Sequence, residues 1–356
     1  MATVEVEQQR LLIGGEWRES SSGRSYEKVN PYTGEPAGSA AAATREDARA
    51  AADAAAAAFP DWAATAADRR AELLNKAADL LMERLPDIAV TVTDETGGTF
   101  GWGAFNVELA AGMLREAGVH AQDVAASTEE IHSHVPGKKA SAVRQPVGVV
   151  VGIAPWNAPV ILGTRAVAAP LAYGNTVVLK ASEECPRTHA AIVSALVDAG
   201  VPAGVINLIV NDRADAADVV DELIAHPAVR RINFTGSTRV GRLVAENAGR
   251  HLKRVLLELG GKAPLVVLPD ADVDRAVAAA NFGAFFHQGQ ICMSTERVVI
   301  DRSVADEFAS KLGDRAAALK VGDPSEEDTQ IGPLVNPGAL ERVAALVDDA
   351  VSKGAT

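Results

Sequence analysis

From residue 147 onward, short β-branched runs alternate with stretches long enough for a helix. No other feature constrains the fold as strongly. The runs cover 147–153, 176–179, 205–210, 231–234, 254–257, 265–268 and 297–300. Such alternation builds parallel, doubly wound α/β sheets, whose ligands sit outside the carboxyl ends of the strands. Residues with chemistry to do are therefore sought where these runs end.

The chain before residue 147 reads differently. Leu11 to Trp17 is a short strand running into a turn, and Asn30-Pro31-Tyr32-Thr33-Gly34 is dense in turn residues. Thr44, with Asp47 three positions on, caps an alanine-rich helix that reaches about Ala58 and is broken by Pro60. Leu73, Leu74, Ala77, Leu80, Leu81 and Leu85 recur at helical spacing up to Pro86, and a further helix closes at Gly97-Gly98. Residues 128–146 read as two strands about the turn Pro136-Gly137-Lys138-Lys139, a protruding hairpin.

A chain of 356 residues exceeds one small core. Its 48% hydrophobic and 23% charged residues are those of a folded protein. The net charge of −13 argues against nucleic acid or an anionic membrane as partner, because both are bound through clustered Lys and Arg. Cys185 and Cys292 are too far apart in sequence, and too few, for a disulfide framework or a zinc site. The first ten residues lack the apolar stretch of a signal peptide and no later run reaches membrane-spanning length, so a cytoplasmic protein is expected.

Four motifs stand at strand ends or in the loops between elements: Pro155-Trp156-Asn157-Ala158-Pro159, Phe234-Thr235-Gly236-Ser237, Glu258-Leu259-Gly260-Gly261-Lys262 and Gly289-Gln290-Ile291-Cys292. In order and spacing they resemble the aldehyde dehydrogenase superfamily, over a stretch running from about Ile13 to the last residue. Residues 145–185 look most like the branch of benzaldehyde, salicylaldehyde and vanillin dehydrogenases. The chemistry is consistent: a thiolate that attacks an aldehyde makes an adduct able to expel hydride, leaving a thioester that water must cleave. Cys292 lies in a small-residue loop between an apolar helix and a strand, where a thiol is easily presented, although a free Cys is more often a small buried hydrophobe. The resemblance makes Cys292 the nucleophile and Glu258 the base that activates the deacylating water. It also makes the Asn157 amide, with the Cys292 backbone N–H, the oxyanion site. Alternatively Asn157 is a turn residue capping the next helix.

For the cofactor there is no G-x-G-x-x-G fingerprint. Gly236 and Ser237, at a strand-to-helix turn, offer backbone N–H groups and a helix N-terminus to a pyrophosphate. The resemblance assigns Lys180 and Glu183 to the adenine ribose and adds Ile153, Trp156 and Leu259 to the cofactor cleft. A carboxylate at 183 repels a 2′-phosphate, which favours NAD over NADP. The same resemblance lines the aldehyde tunnel with Leu162, Arg165, Phe286, Ile291 and Met293, suited to an aromatic substrate. Arg165 either faces a phenolic oxygen or carboxylate or leaves its charge in solvent. Cys185 is read as structural, and His287 as a residue of the preceding helix.

The resemblance implies a dinucleotide-binding domain over 1–127 and 147–257, an oligomerisation hairpin over 128–146, and a second α/β catalytic domain over 258–356. That last domain is expected to be incomplete, because no Glu-any-Phe-Gly-Pro motif follows; the activity expected is that of a longer enzyme, a homodimer or homotetramer. Alternatives are a CoA-acylating or semialdehyde dehydrogenase, an inactive truncated module, and a cysteine hydrolase built on Cys292 and His287.

Overall fold

The computed structural model describes residues 8–126 and 128–355. Residues 1–7, most of the stretch read above for a leader, lie outside the described residues. β1 (Gln8–Gln9) leads into a hairpin of β2 (Leu11–Ile13) and β3 (Glu16–Arg18). β4 (Ser25–Val29) and β5 (Pro36–Ala41) pair antiparallel, and β1 joins β5 to complete a three-stranded sheet.

α1 (Arg45–Ala64) begins with a reciprocal capping box between Thr44 and Asp47. It does not break at Pro60 but continues for four residues. Pro60 is exposed, and the helix loses there only the one bond that its missing N–H would have made. Beyond it Trp62 is buried and its indole N–H donates to the Leu171 carbonyl at 3.2 Å. Packing of that one side chain holds the last turn against the proline. α2 (Ala67–Glu83) and α3 (Leu85–Thr96) follow, with Pro86 in the first turn of α3, where an N–H would be unused. α4 (Phe100–Ala126) packs against α2, α3 and α5 (Pro159–Ala172). A Cβ at Gly103 would lie 2.7 Å from the Ala89 Cα, so glycine there sets how closely α4 approaches α3.

β6 (Thr128–Ile131) and β7 (Ala140–Val143) form an antiparallel hairpin whose residues are all exposed. The alternating region then delivers β8 (Val149–Ile153), α5, β9 (Thr176–Lys180), α6 (Pro186–Ala199), β10 (Ile206–Ile209), α7 (Ala216–Ala225), β11 (Val229–Thr235), α8 (Thr238–Arg250) and β12 (Arg254–Glu258). The five strands are parallel, and with the opening hairpin they make a seven-stranded sheet of order β12-β11-β8-β9-β10-β2-β3. Every residue of β8, β9 and β10 is buried, as expected of a sheet clad by helices on both faces.

β13 (Ala263–Val267) and β14 (Thr295–Ile300) pair in parallel as a separate sheet, crossed by α9 (Val273–Phe285). Val267, Val277, Ala280 and Phe308 form a second, smaller core there, the last from α10 (Ala305–Ala317). α11 (Pro337–Ser352) is capped by Asn336. The chain is thus α/β, as the alternation implied, with mixed sheets and a protruding hairpin.

Leu179 is fully buried, whereas Leu256 on the edge strand β12 is 44% exposed. Leu179→Ala is expected to lower unfolding free energy by about 2–5 kcal/mol, and Leu256→Ala by roughly 1 kcal/mol or less. Urea denaturation midpoints at unchanged m-value check the contrast.

Candidate active site

In the register of the parallel sheet, Ile153 at the end of β8 lies level with Lys180 of β9 and Phe234 of β11, and Thr235 lies level with Glu258 of β12. From β8 the chain winds outward to β9 and β10, then returns on the other side as β11 and β12. The crevice between β8 and β11 is therefore a topological switch point, where α/β sheets bind ligands.

Asn157 stands in the loop from β8 to α5 and is tied from two sides. Its side-chain N–H donates to the Gln290 carbonyl at 2.8 Å, and its own carbonyl accepts the Trp102 indole N–H at 3.1 Å. An amide carries two N–H donors, so one remains for a ligand. The first bond joins the motif at 157 to the loop of Cys292, 133 residues further on.

That loop is held in a costly conformation. α9 ends at Phe285, and His287, Gln288 and Gly289 follow with φ of 50°, 57° and 71°. Two consecutive non-glycine residues in the left-handed region persist only when their surroundings enforce it. The Gln288 amide donates to the carbonyls of Gly97 and Pro333, each at 2.9 Å, and the Gln290 side-chain oxygen accepts from Val335 N–H at 3.2 Å. His287 is thus not on the preceding helix, as the sequence suggested, but in the turn beyond it. It is buried, and burial pushes its pKa down to about 3. A base so weak takes no proton from Cys292 near neutrality, which argues against a Cys–His hydrolase.

Cys292 is exposed, and a Cβ added at Gly261 would come within 4.0 Å of its carbonyl oxygen. The loop following Glu258 therefore abuts the Cys292 backbone. The Glu258 side chain is half exposed, with its carboxylate 4.0 Å from a guanidinium nitrogen of Arg165. Arg165 is fixed by a second nitrogen that donates to Thr235 Oγ1 at 3.1 Å. The Arg165 charge faces a residue of the site rather than only solvent. Thr235 and Trp102 are two participants the sequence reading passed over. Thr235 sits within a motif already singled out, whereas Trp102 carries no local signal.

The remaining candidates divide by surroundings. Lys180 is buried, and its ammonium lies 3.6 Å from the Glu183 carboxylate. Burial lowers the Lys180 pKa against the pull of Glu183. Burial alone would raise Glu183, but Lys180 and Arg213 overcome it and hold the carboxyl below its usual range. Ser237 caps α8, its hydroxyl accepting from Val240 N–H at 3.3 Å, and the Gly236 N–H donates to the Glu258 carbonyl at 3.0 Å. Leu259 packs against Gly241, and Trp156 is half-buried. Phe286 stacks on Phe282 at 4.7 Å and meets Trp102 edge-on at 5.0 Å. Leu162 is buried in the main core, Ile291 packs against that core, and Met293 is 75% exposed. Cys185 is buried beside His189, and burial keeps its thiol well above the ordinary pKa, in the inert protonated form.

Among the described residues no group of three or more His, Cys, Asp or Glu could hold a metal, and no helix is long and apolar enough to cross a membrane.

The sequence profile of the aldehyde dehydrogenase family matches residues 17–356. A vanillin dehydrogenase of Pseudomonas fluorescens is 56% identical over 345 residues, 97% of this chain and 71% of that protein. The crystal structure of a salicylaldehyde dehydrogenase from Pseudomonas putida G7 complexed with salicylaldehyde superposes with a TM-score of 0.96 at 43% identity, covering 98% of this chain and 72% of that one. A betaine aldehyde dehydrogenase from Staphylococcus aureus in complex with NAD+ matches at a TM-score of 0.93 and 32% identity, covering 98% and 68%.

The two thiols differ in burial, so iodoacetamide is expected to modify Cys292 in the native protein and Cys185 only after denaturation. Peptide mass spectrometry reads both sites. Native labelling at Cys185 would contradict the packing described.

Proposed function

The chain belongs to the aldehyde dehydrogenase family, and from that premise we propose that it oxidises an aromatic aldehyde to the carboxylic acid with NAD+, through a thioester on Cys292. The observation that carries the assignment of residues is the bond from the Asn157 amide to the Cys292 loop at the switch point of the sheet. The Cys292 sulfur attacks the aldehyde carbon. The oxygen that gains charge is taken up by the free N–H of the Asn157 amide and the Cys292 backbone N–H, donors already fixed before charge develops. Oxidation of the adduct leaves an acyl thioester on the sulfur, and Glu258 takes a proton from the water that cleaves it. Arg165 and Glu258 are both substantially exposed, so their pairing is a weak tether that leaves the carboxylate free to move.

The residues present suit a nicotinamide dinucleotide. A buried ammonium that meets its carboxylate at 3.6 Å rather than in a direct hydrogen bond leaves donors at Lys180, and acceptors at Glu183, for a vicinal diol. The N-terminus of α8, with the Ser237 hydroxyl, suits a pyrophosphate, although the Gly236 N–H expected to face it is instead taken by the Glu258 carbonyl. Ile153, Trp156 and Leu259 complete the proposed cleft. When bound, the dinucleotide supplies the two-electron acceptor that the oxidation requires. The Glu183 carboxylate favours NAD over NADP by repelling a 2′-phosphate. Phe286 and Arg165, with Leu162, Ile291 and Met293, are the proposed substrate residues.

The two hydrophobic cores support dividing the chain into a dinucleotide-binding part (1–127 and 147–257) and a catalytic part (258–356). The exposed hairpin of 128–146 supports assembly into a homodimer or homotetramer. Two free thiols suit a reducing cytoplasm.

With benzaldehyde and NAD+, Cys292→Ala is expected to abolish NADH formation. Glu258→Gln is expected to give one turnover and then stall, its steady-state rate down by about 100-fold or more, with an acyl mass on Cys292. Normal multiple turnover by Glu258→Gln would remove Glu258 from the role of base, and acceleration by added CoA would indicate an acylating dehydrogenase instead. Glu183→Ala is expected to shift the NADP-to-NAD preference toward NADP by roughly tenfold; an unchanged ratio of kcat/KM values would count against the proposed ribose contact.

A further inference from the structure

We infer that His287 is a positioning residue for the Asn157–Cys292 pair: its ring, stacked on Trp102, locks the left-handed turn before the nucleophile to the backbone that carries the oxyanion amide. The inference rests on the roles proposed above for Asn157 and Cys292. His287 is 2% exposed, and its ring lies 4.6 Å from that of Trp102 with 15° between the planes. Trp102 donates to the Asn157 carbonyl at 3.1 Å, the Asn157 amide donates to the Gln290 carbonyl at 2.8 Å, and the Gln290 N–H donates to the His287 carbonyl at 3.0 Å. These contacts close a circuit from His287 through Trp102, Asn157 and Gln290 back to His287. Cys292 follows Gln290 by two residues, so it inherits whatever fixes the circuit.

The circuit has a task to perform. His287 and Gln288 hold φ of 50° and 57°, a conformation that relaxes unless it is enforced. The Gln288 bonds restrain one side of the turn, and the ring stack restrains the other. His287 serves by shape and not by proton transfer. The backbone of Asn157 is the polar group that faces its ring, and burial pushes the imidazole pKa down to about 3, so it is neutral near neutral pH. A second residue guards the same stack: a Cβ at Gly98 would sit 2.7 Å from Trp102 Cδ1 and 3.2 Å from His287 Cε1, so any side chain there must displace the rings.

The test compares His287→Ala, His287→Phe and Gly98→Ala in the full chain, with benzaldehyde and NAD+ for kinetics and iodoacetamide for the reactivity of Cys292. Loss of the stack is expected to lower kcat by about 10- to 100-fold in His287→Ala and Gly98→Ala while KM stays within about threefold, since a misplaced nucleophile costs rate more than binding. His287→Phe keeps the ring and is expected to retain kcat within about threefold, with the pH profile unchanged in shape. The rate of Cys292 alkylation is expected to shift by about threefold or more in the two alanine variants and not in the phenylalanine variant. A wild-type kcat in His287→Ala overturns the inference. So does a phenylalanine variant that keeps a native denaturation midpoint but is as slow as the alanine one. Should the wild-type chain oxidise no aldehyde, the proposed function fails, and the alkylation pattern alone decides the positioning role.

Discussion

Parallel pairing is the constraint on which the rest depends. When β8, β9, β11 and β12 run the same way in register, their carboxyl ends fall on one edge, and Ile153, Lys180, Thr235 and Glu258 become neighbours in a row although they span more than a hundred positions of sequence. In β8 and β9 the positions just before these ends are buried Val, Gly and Leu, whereas the residues proposed for the site stand at the ends themselves. Inside the sheet a polar side chain would lose water without gaining a partner. At its edge, loops leave the backbone free to turn toward a ligand.

Buried charges sit beside this edge, and they orient more than they stabilise. Glu184 accepts from Lys28 at 3.0 Å and from the Asn336 amide at 2.7 Å, and pairs with Arg213. It therefore links β4, the segment before α7 and the cap of α11. Removing a charge from water offsets much of what its ion pairs contribute. The value of the cluster lies in direction: the arms that fix Glu184 also hold the chain next to Glu183 and Lys180, the pair proposed for a ribose.

How much of this was legible beforehand follows from what each signal measures. Alternation of β-branched runs with helical stretches reports burial on both faces, and it located the five strands of the parallel sheet and both strands of the second one. The Thr44–Asp47 pair reports a local hydrogen-bonding need, and it marked the start of α1. Pro60 misled because a proline reports only local propensity, while the buried Trp62 beyond it acts through tertiary packing. α4 was not anticipated; of its glycines, Gly103 and Gly118 lie where α3 and α2 approach it, a tertiary contact with no local signature. At the site, the motifs marked Asn157, Glu258 and Cys292, but the pairing of Arg165 with Thr235 and the stacking of His287 on Trp102 are contacts between distant segments with no local trace.

The spacing of the sheet partners also bears on how the site comes into existence. Helices α1 to α4 lie close together along the chain and can associate soon after they form, whereas β8 must wait for β11, some eighty positions later, before Val149 finds Val229. Closing such loops precedes any reward from the contacts they allow, and β2 with β10 closes a longer one still, Leu12 meeting Leu208. Asn157, Glu258 and Cys292 come from a strand end and two loops far apart in sequence, so they stand together only once such long-range contacts have formed. An isolated stretch of the chain around Cys292 therefore holds a bare thiol, and its proposed partners reach it only through the tertiary structure.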